Sequence, residues 1–547
     1  MRKRWLAALL LTSGALIFAT GAIGSGSKST SGGTFRLGTA SGIDSLNPYV
    51  AFNQDAYSAF EYVYPILIQY DSHLHYAPFF ARSWHASKDG KSWTFKTQPN
   101  AKWSDGKPLT AADAAWTINT DLKYKSGATA NVAGLVSHIN NAKAPNATTL
   151  VVNYAQRPSP SYVLGQFQQF FILPKHIWAQ HLGKKGAGLK TFPNNAPVVG
   201  SGPFNLVRFK MNDVALFQRN SSYWGPKPKI DEFGLQQYSN DDAMVTALKA
   251  HDLDAVESVP ATTMKTLRNA GFVVEDVKGL DQTDFIINSN PKKKHHRELL
   301  NLKVKEAFDH AIDRKKIVSV VYLGAAQLPS TIIPASAGVG WHNTSLKTPS
   351  FDLKLANKIL DGLGYKKGPG GIRVANGKKM SYEVIIPTDV QSLPRTFLIV
   401  QSDFAKIGVQ LKQKALDSTA AFNQMAGSNY TYQGFDLAMW DWTALIDPDF
   451  MLSVVTCAQW GGWSDSAFCD KKYDRMYSQQ QLAATPAKRR QIVWKMQAYL
   501  YKHRPYLWLA NDDQVSAVSK SWAGFKNTPQ GPFNELNISV LTHVHQK

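Results

Sequence analysis

The spacing of apolar residues predicts a strand, a helix and a hairpin at the start of the folded chain. Residues 34–40 have the pattern of a strand, and the segment 56–67, rich in Tyr and Phe, is predicted to be helical. Asp89-Gly90 separates two strand-like segments and favours a tight hairpin turn. Thr110 is followed three residues later by an aspartate, which is typical of a helix start. The helix is expected to end near Tyr124.

Two later segments have the β-α-β pattern of a parallel sheet. Parallel strands need a crossover connection, and an amphipathic helix between two apolar strands supplies it. The predicted units are strand 233–238, helix 241–250 and strand 253–256, then strand 382–386, helix 393–407 and strand 409–416. Alternation also predicts strands over 204–209 and 214–219. The sequence therefore predicts two α/β regions, with a mainly β insertion in the first.

Helical periodicity predicts three more helices. Apolar residues recur at every third or fourth position over 301–322 and 352–363, and a proline opens the segment that runs to residue 501. Short apolar segments over 436–440 and 506–509 are predicted strands. These elements belong to the later α/β region.

Length and charge limit the class of protein. A chain of 547 residues exceeds the usual size of a single hydrophobic core, so two or three domains are expected. The net charge of +21 would suit nucleic acid or an anionic surface, but the basic residues are scattered and no nucleic-acid motif is found. The dense run Lys292–Arg297 is predicted to be a solvated loop. We therefore expect no nucleic-acid partner.

The N-terminus has the order of an export signal. Basic residues precede an apolar run over 5–19, and small residues follow. We expect a signal peptide over 1–24 and a flexible linker over 25–33. The chain has two cysteines, Cys457 and Cys469, and an exported chain with two cysteines is expected to form one disulfide.

The stretch 435–470 is the strongest candidate for a binding site. Trp440 and Trp442 stand on either side of Asp441 at the end of a predicted strand. Apolar walls with a few polar groups are typical of a small-molecule pocket. The alternative is that the tryptophans pack in the core and the aspartates cap helices. For the cluster as a whole, a ligand site is the favoured interpretation.

A search for catalytic motifs finds none that fits its required context. The chain has no H-E-x-x-H, Walker loop, C-x-x-C or G-x-G-x-x-G after a strand. Asp447 and Asp449 could in principle act as a glycosidase pair, but two carboxylates across one proline are a common turn. The sequence therefore indicates export and binding without catalysis.

Several motifs together resemble the extracellular solute-binding proteins of ABC importers, family 5, which includes oligopeptide-, dipeptide- and nickel-binding proteins. The resemblance covers nearly all of the chain after the linker. Asp447-Pro448-Asp449 and the spacing of Cys457 and Cys469 are similar to the dipeptide-binding branch, in which that cysteine pair forms a disulfide. The other matching motifs are Ala81-Arg-Ser-Trp84, Trp93-Thr-Phe95, Trp103-Ser-Asp105-Gly106, Thr110-Ala-Ala-Asp113, Val199-Gly-Ser-Gly-Pro203-Phe204, Tyr223-Trp224-Gly225 and the segment from Val304 to Ile317.

The resemblance implies an α/β, periplasmic-binding-protein-like fold. Two α/β lobes are joined by a hinge, and an extra mixed α/β domain is inserted in lobe I. A ligand is enclosed when the lobes close. The implied boundaries are lobe I over 34–75 and 195–290, the inserted domain over 76–194, lobe II over 291–510 and a C-terminal return to lobe I over 511–547. A monomer without a cofactor or metal is implied, with an ABC permease and its ATPase subunits as partners.

Two positions depart from the peptide-binding pattern. Ala444 stands where the family has the aspartate that holds a ligand's amino group, so Asp441 is expected to replace it. The segment that would supply an arginine for the ligand's carboxylate holds Asp389, whereas Arg395 lies on the following helix. The cysteine of a lipoprotein signal is also missing near Gly24, so the protein is expected to be released, or anchored by an uncleaved signal, at the cell envelope or outside it.

The sequence thus predicts a binding protein that captures peptides for an ABC importer. A non-peptide solute, such as a sugar or a metal chelate, is the alternative ligand, and a secreted hydrolase or a surface adhesin would be a different class of protein. The aromatic residues would line the cleft, Asp441 would hold a cationic group and Asn53 would form hydrogen bonds. The predicted cleft residues are Phe52, Asn53, Trp440, Asp441, Trp442 and Trp508.

Overall fold

The computed structural model describes residues 33–71, 74–338, 340–533 and 539–547. The predicted signal over 1–24 and the linker over 25–33, apart from its last residue, lie outside this part of the chain. Among the helices that are described, none is long and apolar enough to cross a membrane.

The bounds of the strands and helices are given in two groups, before and after residue 256. Up to residue 256 they are β1 (Thr34–Thr39), α1 (Gln54–Val63), β2 (Ile68–Tyr70), β3 (Tyr76–Pro78), β4 (Ala81–Ala86), β5 (Ser92–Thr97), α2 (Ala111–Tyr124), β6 (Ile139–Asn146), β7 (Thr149–Tyr154), α3 (Pro160–Gln168), α4 (Lys175–Trp178), α5 (Gly188–Thr191), β8 (Phe204–Lys210), β9 (Val214–Arg219), β10 (Glu232–Gln237), α6 (Asp241–Lys249) and β11 (Ala255–Val256). After residue 256 they are α7 (Met264–Asn269), β12 (Val273–Ile287), α8 (Leu302–His310), α9 (Arg314–Val320), β13 (Ala326–Gln327), α10 (Leu353–Gly362), β14 (Val374–Ala375), β15 (Lys378–Lys379), β16 (Ser381–Pro387), α11 (Ser392–Lys406), β17 (Gln410–Leu416), α12 (Ser418–Ala426), β18 (Leu437–Thr443), α13 (Asp449–Val454), α14 (Lys471–Gln481), α15 (Pro486–His503), β19 (Tyr506–Val518), β20 (Trp522–Ala523), α16 (Ser539–His543) and β21 (His545–Gln546).

One mixed sheet runs through both α/β regions. Its strand order is β17-β16-β18-β12-β19-β11-β1-β10-β9-β8, and β13 also pairs with β19. β1 pairs in parallel with β10 and β11, and β16 pairs in parallel with β17 and β18. Both predicted β-α-β units are therefore confirmed.

The long strands β12 and β19 connect the two halves of this sheet. Residues 273–278 of β12 pair with 513–518 of β19 beside the first lobe, and the rest of β12 pairs with the start of β19 in the second lobe. The register shifts between Lys278 and Gln282. At this irregularity, a Cβ on Gly279 would lie 2.3 Å from the carbonyl oxygen of Asp512, so only glycine allows the strands to come this close. The spacing between β12 and β19 is therefore fixed at Gly279.

A separate sheet lies within the first half of the chain. Its order is β4-β5-β7-β6, and α2 packs against it. The hairpin at Asp89-Gly90 and the capping box between Thr110 and Asp113 are confirmed, with Gly90 at a φ of +70°.

Alternation along β12 and β18 assigns their side chains to two apolar cores. Phe285 and Met439 pack into the core on one face of the second-lobe sheet. Ile286 and Ala438 pack into the core on the other face. This alternation also determines the face of the sheet to which each side chain projects near the ends of β12 and β18.

Two local predictions are wrong. The single helix expected over 301–322 is two helices, because α8 ends at His310 and α9 begins at Arg314. Asp313 leaves the helical conformation and its side chain accepts a hydrogen bond from the backbone N–H of Lys316, as an N-cap does. The basic run Lys292–Arg297 is also not fully solvated, because Lys293 is buried and paired with Asp436 at 2.5 Å.

Candidate ligand-binding cleft

β18 carries three of the predicted cleft residues, and its alternation separates them. Trp440 and Trp442 pack on one face of the sheet, whereas Asp441 projects to the opposite face, where Met439 packs. All three side chains are half-buried. The structure therefore places the acidic group and the aromatic walls on the two sides of one strand end.

Asp441 belongs to a cluster of three carboxyl groups on three neighbouring strands, which we call the carboxylate triad: Asp281 of β12, Asp441 of β18 and Asp512 of β19. Burial raises the pKa of Asp441 to about 7, with further increases from the charges of Asp281 and Asp389. Burial raises the pKa of Asp281 to about 6. Burial, Asp281 and Asp441 raise the pKa of Asp512 well above its usual range. Because β12 pairs with β18 on one side and with β19 on the other, strand pairing brings these three carboxyl groups to one end of the sheet.

Hydroxyl groups surround the triad. Thr283 Oγ1 lies 2.7 Å from the hydroxyl oxygen of Tyr322 and 3.2 Å from Asp512 Oδ2. Thr443 Oγ1 lies 2.6 Å from Asp281 Oδ1. Within the described ranges, no lysine or arginine forms an ion pair with a member of the triad. The site therefore combines three carboxyl groups with neutral hydroxyl groups, although the whole protein is strongly basic.

The opposite face of the same strands is aromatic. Trp508 of β19 is buried and its ring centroid lies 5.0 Å from that of Tyr506. Trp442 Nε1 donates a hydrogen bond to Asp465 Oδ2 at 2.9 Å, and Tyr506 donates to the other oxygen of Asp465. The structure thus brings Trp442 and Trp508 to one face, together with the predicted Trp440.

The first lobe approaches this strand end through the beginning of α1. Phe52 is exposed, and the backbone N–H groups of Phe52 and Asn53 donate to Asp44. The side chain of Asn53 donates to the carbonyl of Gly42 and does not cap α1. The next residue, Gln54, accepts a hydrogen bond from Thr443 of β18 at 2.6 Å. This contact places the predicted Phe52–Asn53 segment next to the second lobe.

An aromatic cluster that the sequence prediction did not include spans the two lobes. Trp463 lies 6.4 Å from Trp442 and 5.6 Å from Phe450, measured between ring centroids. Its ring is also 6.5 Å from that of Tyr57 in α1. Trp463 lies within the tryptophan-rich stretch 435–470, and that composition is the sequence signal that could have identified it.

The acidic residues of the Asp-Pro-Asp loop already have protein partners. Both oxygens of Asp447 accept hydrogen bonds from Arg489 at 2.6 Å, and Asp449 accepts one from Tyr477 at 2.9 Å. Asp447 is therefore fully engaged by protein groups, whereas Asp449 also lines a cavity together with Phe450 and Trp463. The predicted disulfide between Cys457 and Cys469 is present.

The remaining predicted anchor positions do not supply a cation to the triad. Ala444 is fully buried. Asp389 accepts a hydrogen bond from the backbone of Ser418, and its charge raises the pKa of Asp441. Arg395 is exposed on α11, and its charge acts on Asp241 of the first lobe.

Comparison with known proteins identifies a matching family, related sequences and a similar fold. The sequence model of the family "Bacterial extracellular solute-binding proteins, family 5 Middle" matches residues 75–462. The chain is 24% identical to "Protein XP55" of Streptomyces lividans over 502 residues, which cover 91% of this chain and 87% of that protein. It is 25% identical to the "Nickel-binding periplasmic protein" of Escherichia coli K12 over 383 residues, or 68% of each chain. The fold is similar to that of the oligopeptide-binding protein AppA of Bacillus subtilis, solved with a nonapeptide, with a TM-score of 0.84, 20% identity and coverage of 95% of this chain and 100% of the other.

Proposed function

The chain belongs to the bacterial extracellular solute-binding proteins of family 5, and from this membership we propose that it captures peptides between its two lobes for delivery to an ABC importer. Relatives named as peptide-binding proteins of ABC transporters, and a fold neighbour solved with a nonapeptide, support the peptide as ligand. The proposed cleft contains Phe52, Asn53, Trp440, Asp441, Trp442 and Trp508.

The carboxylate triad is the observation that carries this proposal. Asp281, Asp441 and Asp512 place three carboxyl groups, which are negatively charged when ionised, at the junction of the lobes, and no described lysine or arginine pairs with them. A peptide's terminal ammonium group would offset that charge with charge-assisted hydrogen bonds. All three carboxyl groups are half-buried, and Asp441 lies on the same segment as Ala444, which stands where the family has its amino-group anchor, so we assign Asp441 the contact with the ammonium group.

The aromatic residues would bind the rest of the peptide. Trp440, Trp442 and Trp508 offer apolar area on the opposite side of the strand end. Burial of apolar surface contributes about 25 cal/mol per Å² to the gross free energy of binding. The exposed ring of Phe52 would face the ligand from the first lobe.

Calorimetry with an Asp441→Asn variant tests the assignment. At pH 8, where the carboxyl group is mostly ionised, the variant is expected to weaken binding of a free peptide by about 1.5–3 kcal/mol, and an N-acetylated peptide is expected to bind both proteins equally. The matched control is Asp252→Asn, which removes the same charge from an exposed turn. Equal affinity of the two variants for the free peptide would remove Asp441 from the site, and failure of every peptide to bind would reject the peptide function.

The same proposal includes export of the protein, its transporter partners and binding of the peptide without cleavage. We infer a monomer at the cell envelope or outside it, which presents its cargo to a permease and ATPase subunits. Bound peptides should be recovered intact by mass spectrometry after long incubation, because binding alone is proposed. Cleaved peptides would favour a hydrolase instead.

A further inference from the structure

Asp284 lies on the opposite face of the sheet from Asp441. Near the C-terminal end of β12, it pairs with Trp440 of β18 on one side and with Trp508 of β19 on the other. Paired residues of antiparallel strands project to the same face. Ile286, two residues further along β12, packs on that face. The two tryptophans therefore flank Asp284, with their Cα atoms about 10 Å apart, because two strand spacings separate them.

The carboxyl group of Asp284 has no hydrogen-bond partner among the described residues. The residue is fully buried, and both of its oxygens are unpartnered. Burial raises the pKa of Asp284 well above its usual range, and the charges of Asp465 and Asp441 raise it further. Asp465 differs, because Tyr506 and Trp442 donate hydrogen bonds to it. A buried carboxyl group without a partner is costly, and a positively charged partner offsets that cost.

We propose that this face of the cleft is a pocket for a positively charged side chain of the bound peptide, with Asp284 as its counter-charge. Trp440 and Trp508 form the two walls. The ligand class is a peptide with a lysine or arginine side chain, in addition to its terminal ammonium group. This inference rests on the proposed function for the peptide nature of the ligand.

The walls and the floor of the pocket match the two parts of such a side chain. The faces of tryptophan rings attract cations, and the methylene groups of lysine or arginine pack on apolar surface. The charged end then meets the carboxylates of Asp284 and Asp465. A metal ion fits less well, since the described residues contain no group of three or more His, Cys, Asp or Glu arranged to hold one.

Two separate charges of the ligand are assigned to two separate faces. Asp441 projects towards the carboxylate triad, whereas Asp284 projects between the tryptophans. The two residues are nevertheless neighbours on paired strands, and the charge of Asp441 acts on Asp284. The preference for a basic side chain is therefore assigned to a different face from the preference for a free amino terminus, and the two can be measured separately.

Paired peptides test the pocket without any change to the protein. Tripeptides with lysine at each position in turn are compared by calorimetry with the same peptides carrying norleucine, which has a similar shape and no charge. The wild-type protein is expected to prefer lysine by about tenfold at one position. Equal affinities at all three positions would overturn the proposal.

An Asp284→Asn variant then assigns the preference to this residue. The variant is expected to bind the norleucine peptide as the wild type does and to lose the preference for lysine. Asp441→Asn is the matched comparison, and it is expected to weaken both peptides while the preference for lysine remains. A preference for lysine that survives in Asp284→Asn would place the pocket elsewhere and overturn the assignment.

A probe that is not a peptide separates this inference from the proposed function. If no peptide of either series binds, the peptide function fails, and thermal unfolding with n-butylammonium chloride and with n-butanol tests the pocket directly. A higher unfolding temperature with the ammonium compound alone, in the wild type and not in Asp284→Asn, would support the pocket. Equal effects of the two compounds would overturn it.

Discussion

Arg489 and Asp447 form an ion pair that is almost completely excluded from water. Their side chains are 0% and 1% exposed, and both Nη atoms of Arg489 donate to Asp447. Tyr76 donates to the same carboxylate at 3.1 Å, and Arg489 Nη1 also lies 3.2 Å from Ser161 Oγ. One pair of residues thus links α15 of the second lobe to segments from the first third of the chain.

Removal of one member of this pair should be strongly destabilising. Arg489→Met leaves the buried carboxylate of Asp447 without its counter-charge, and we expect the free energy of unfolding to fall by about 3–5 kcal/mol in urea denaturation. The double variant with Asp447→Asn should recover part of that loss. Arg475→Met, at an exposed position of α14, is the control. A loss no larger than that of the control would contradict this role.

At the residue scale, the sequence indicated Asp441 and its neighbouring tryptophans as candidate site residues, but it did not indicate the other carboxyl groups that lie near them. Asp281, Asp284 and Asp512 lie on strands far away in sequence, and only strand pairing brings them together. The sequence alone could have shown that Trp440 and Asp441 project to opposite faces, because side chains alternate along any strand. It could not have shown which residues of other strands lie beside Asp441, since the register between distant strands depends on tertiary contacts.

At the scale of elements, β12 and β19 set the geometry of the cleft. Both strands run from the first lobe into the second, and one of their two register shifts lies next to Asp281 and Asp512. The close approach of Gly279 to Asp512 fixes the strand spacing where two members of the carboxylate triad originate.

Substitution of this glycine should therefore affect both stability and binding. Gly279→Ala places a Cβ 2.3 Å from the carbonyl oxygen of Asp512, and the strands must separate to relieve the overlap. We expect a loss of about 1–3 kcal/mol in the free energy of unfolding, with weaker peptide binding by calorimetry. Gly362→Ala is the control, since a Cβ there meets nothing within 4 Å and alanine favours the helix. Equal stability of the two variants would show that the hinge tolerates wider spacing.

The helices were more predictable than the hinge strands. The bounds of α2 and α11 follow from local caps, glycine stops and apolar periodicity, so the sequence carries them directly. β12 was missed and β19 was predicted only over 506–509, because polar residues such as Glu275, Asp276 and Asp513 interrupt their apolar pattern. Strand pairing with several neighbours overrides that weak local preference.

For the whole molecule, the two-lobed architecture came from resemblance and not from periodicity. Local patterns predicted two α/β regions but could not show that one sheet passes through both. The buried carboxyl groups near that sheet also affect global stability. Burial raises the pKa of Asp281, Asp449 and Asp465 to about 6 and that of Asp441 to about 7.

These shifts predict that the ligand-free protein loses stability between pH 5 and pH 7. The folded pKa of each group lies above the usual value of 3.8, so the folded state binds more protons than the unfolded chain, and the stabilisation is lost as the pH rises through the folded pKa. Carboxyl groups with a lowered pKa, such as Asp89, contribute fully above pH 5 and do not oppose this trend. Calorimetric scans at constant ionic strength should show a falling unfolding temperature. A rising temperature across this interval would contradict the assignment, and Asp441→Asn should reduce the slope.

The carboxylate triad at the junction of the lobes has a consequence for how cargo changes the protein's charge. Near neutral pH these carboxyl groups retain part of their protons in the empty cleft, because their pKa values are raised. A positive charge brought close to them lowers those pKa values again and expels the protons. We therefore expect loading to exchange protons for a cation, so that the loaded protein gains less positive charge than its cargo carries.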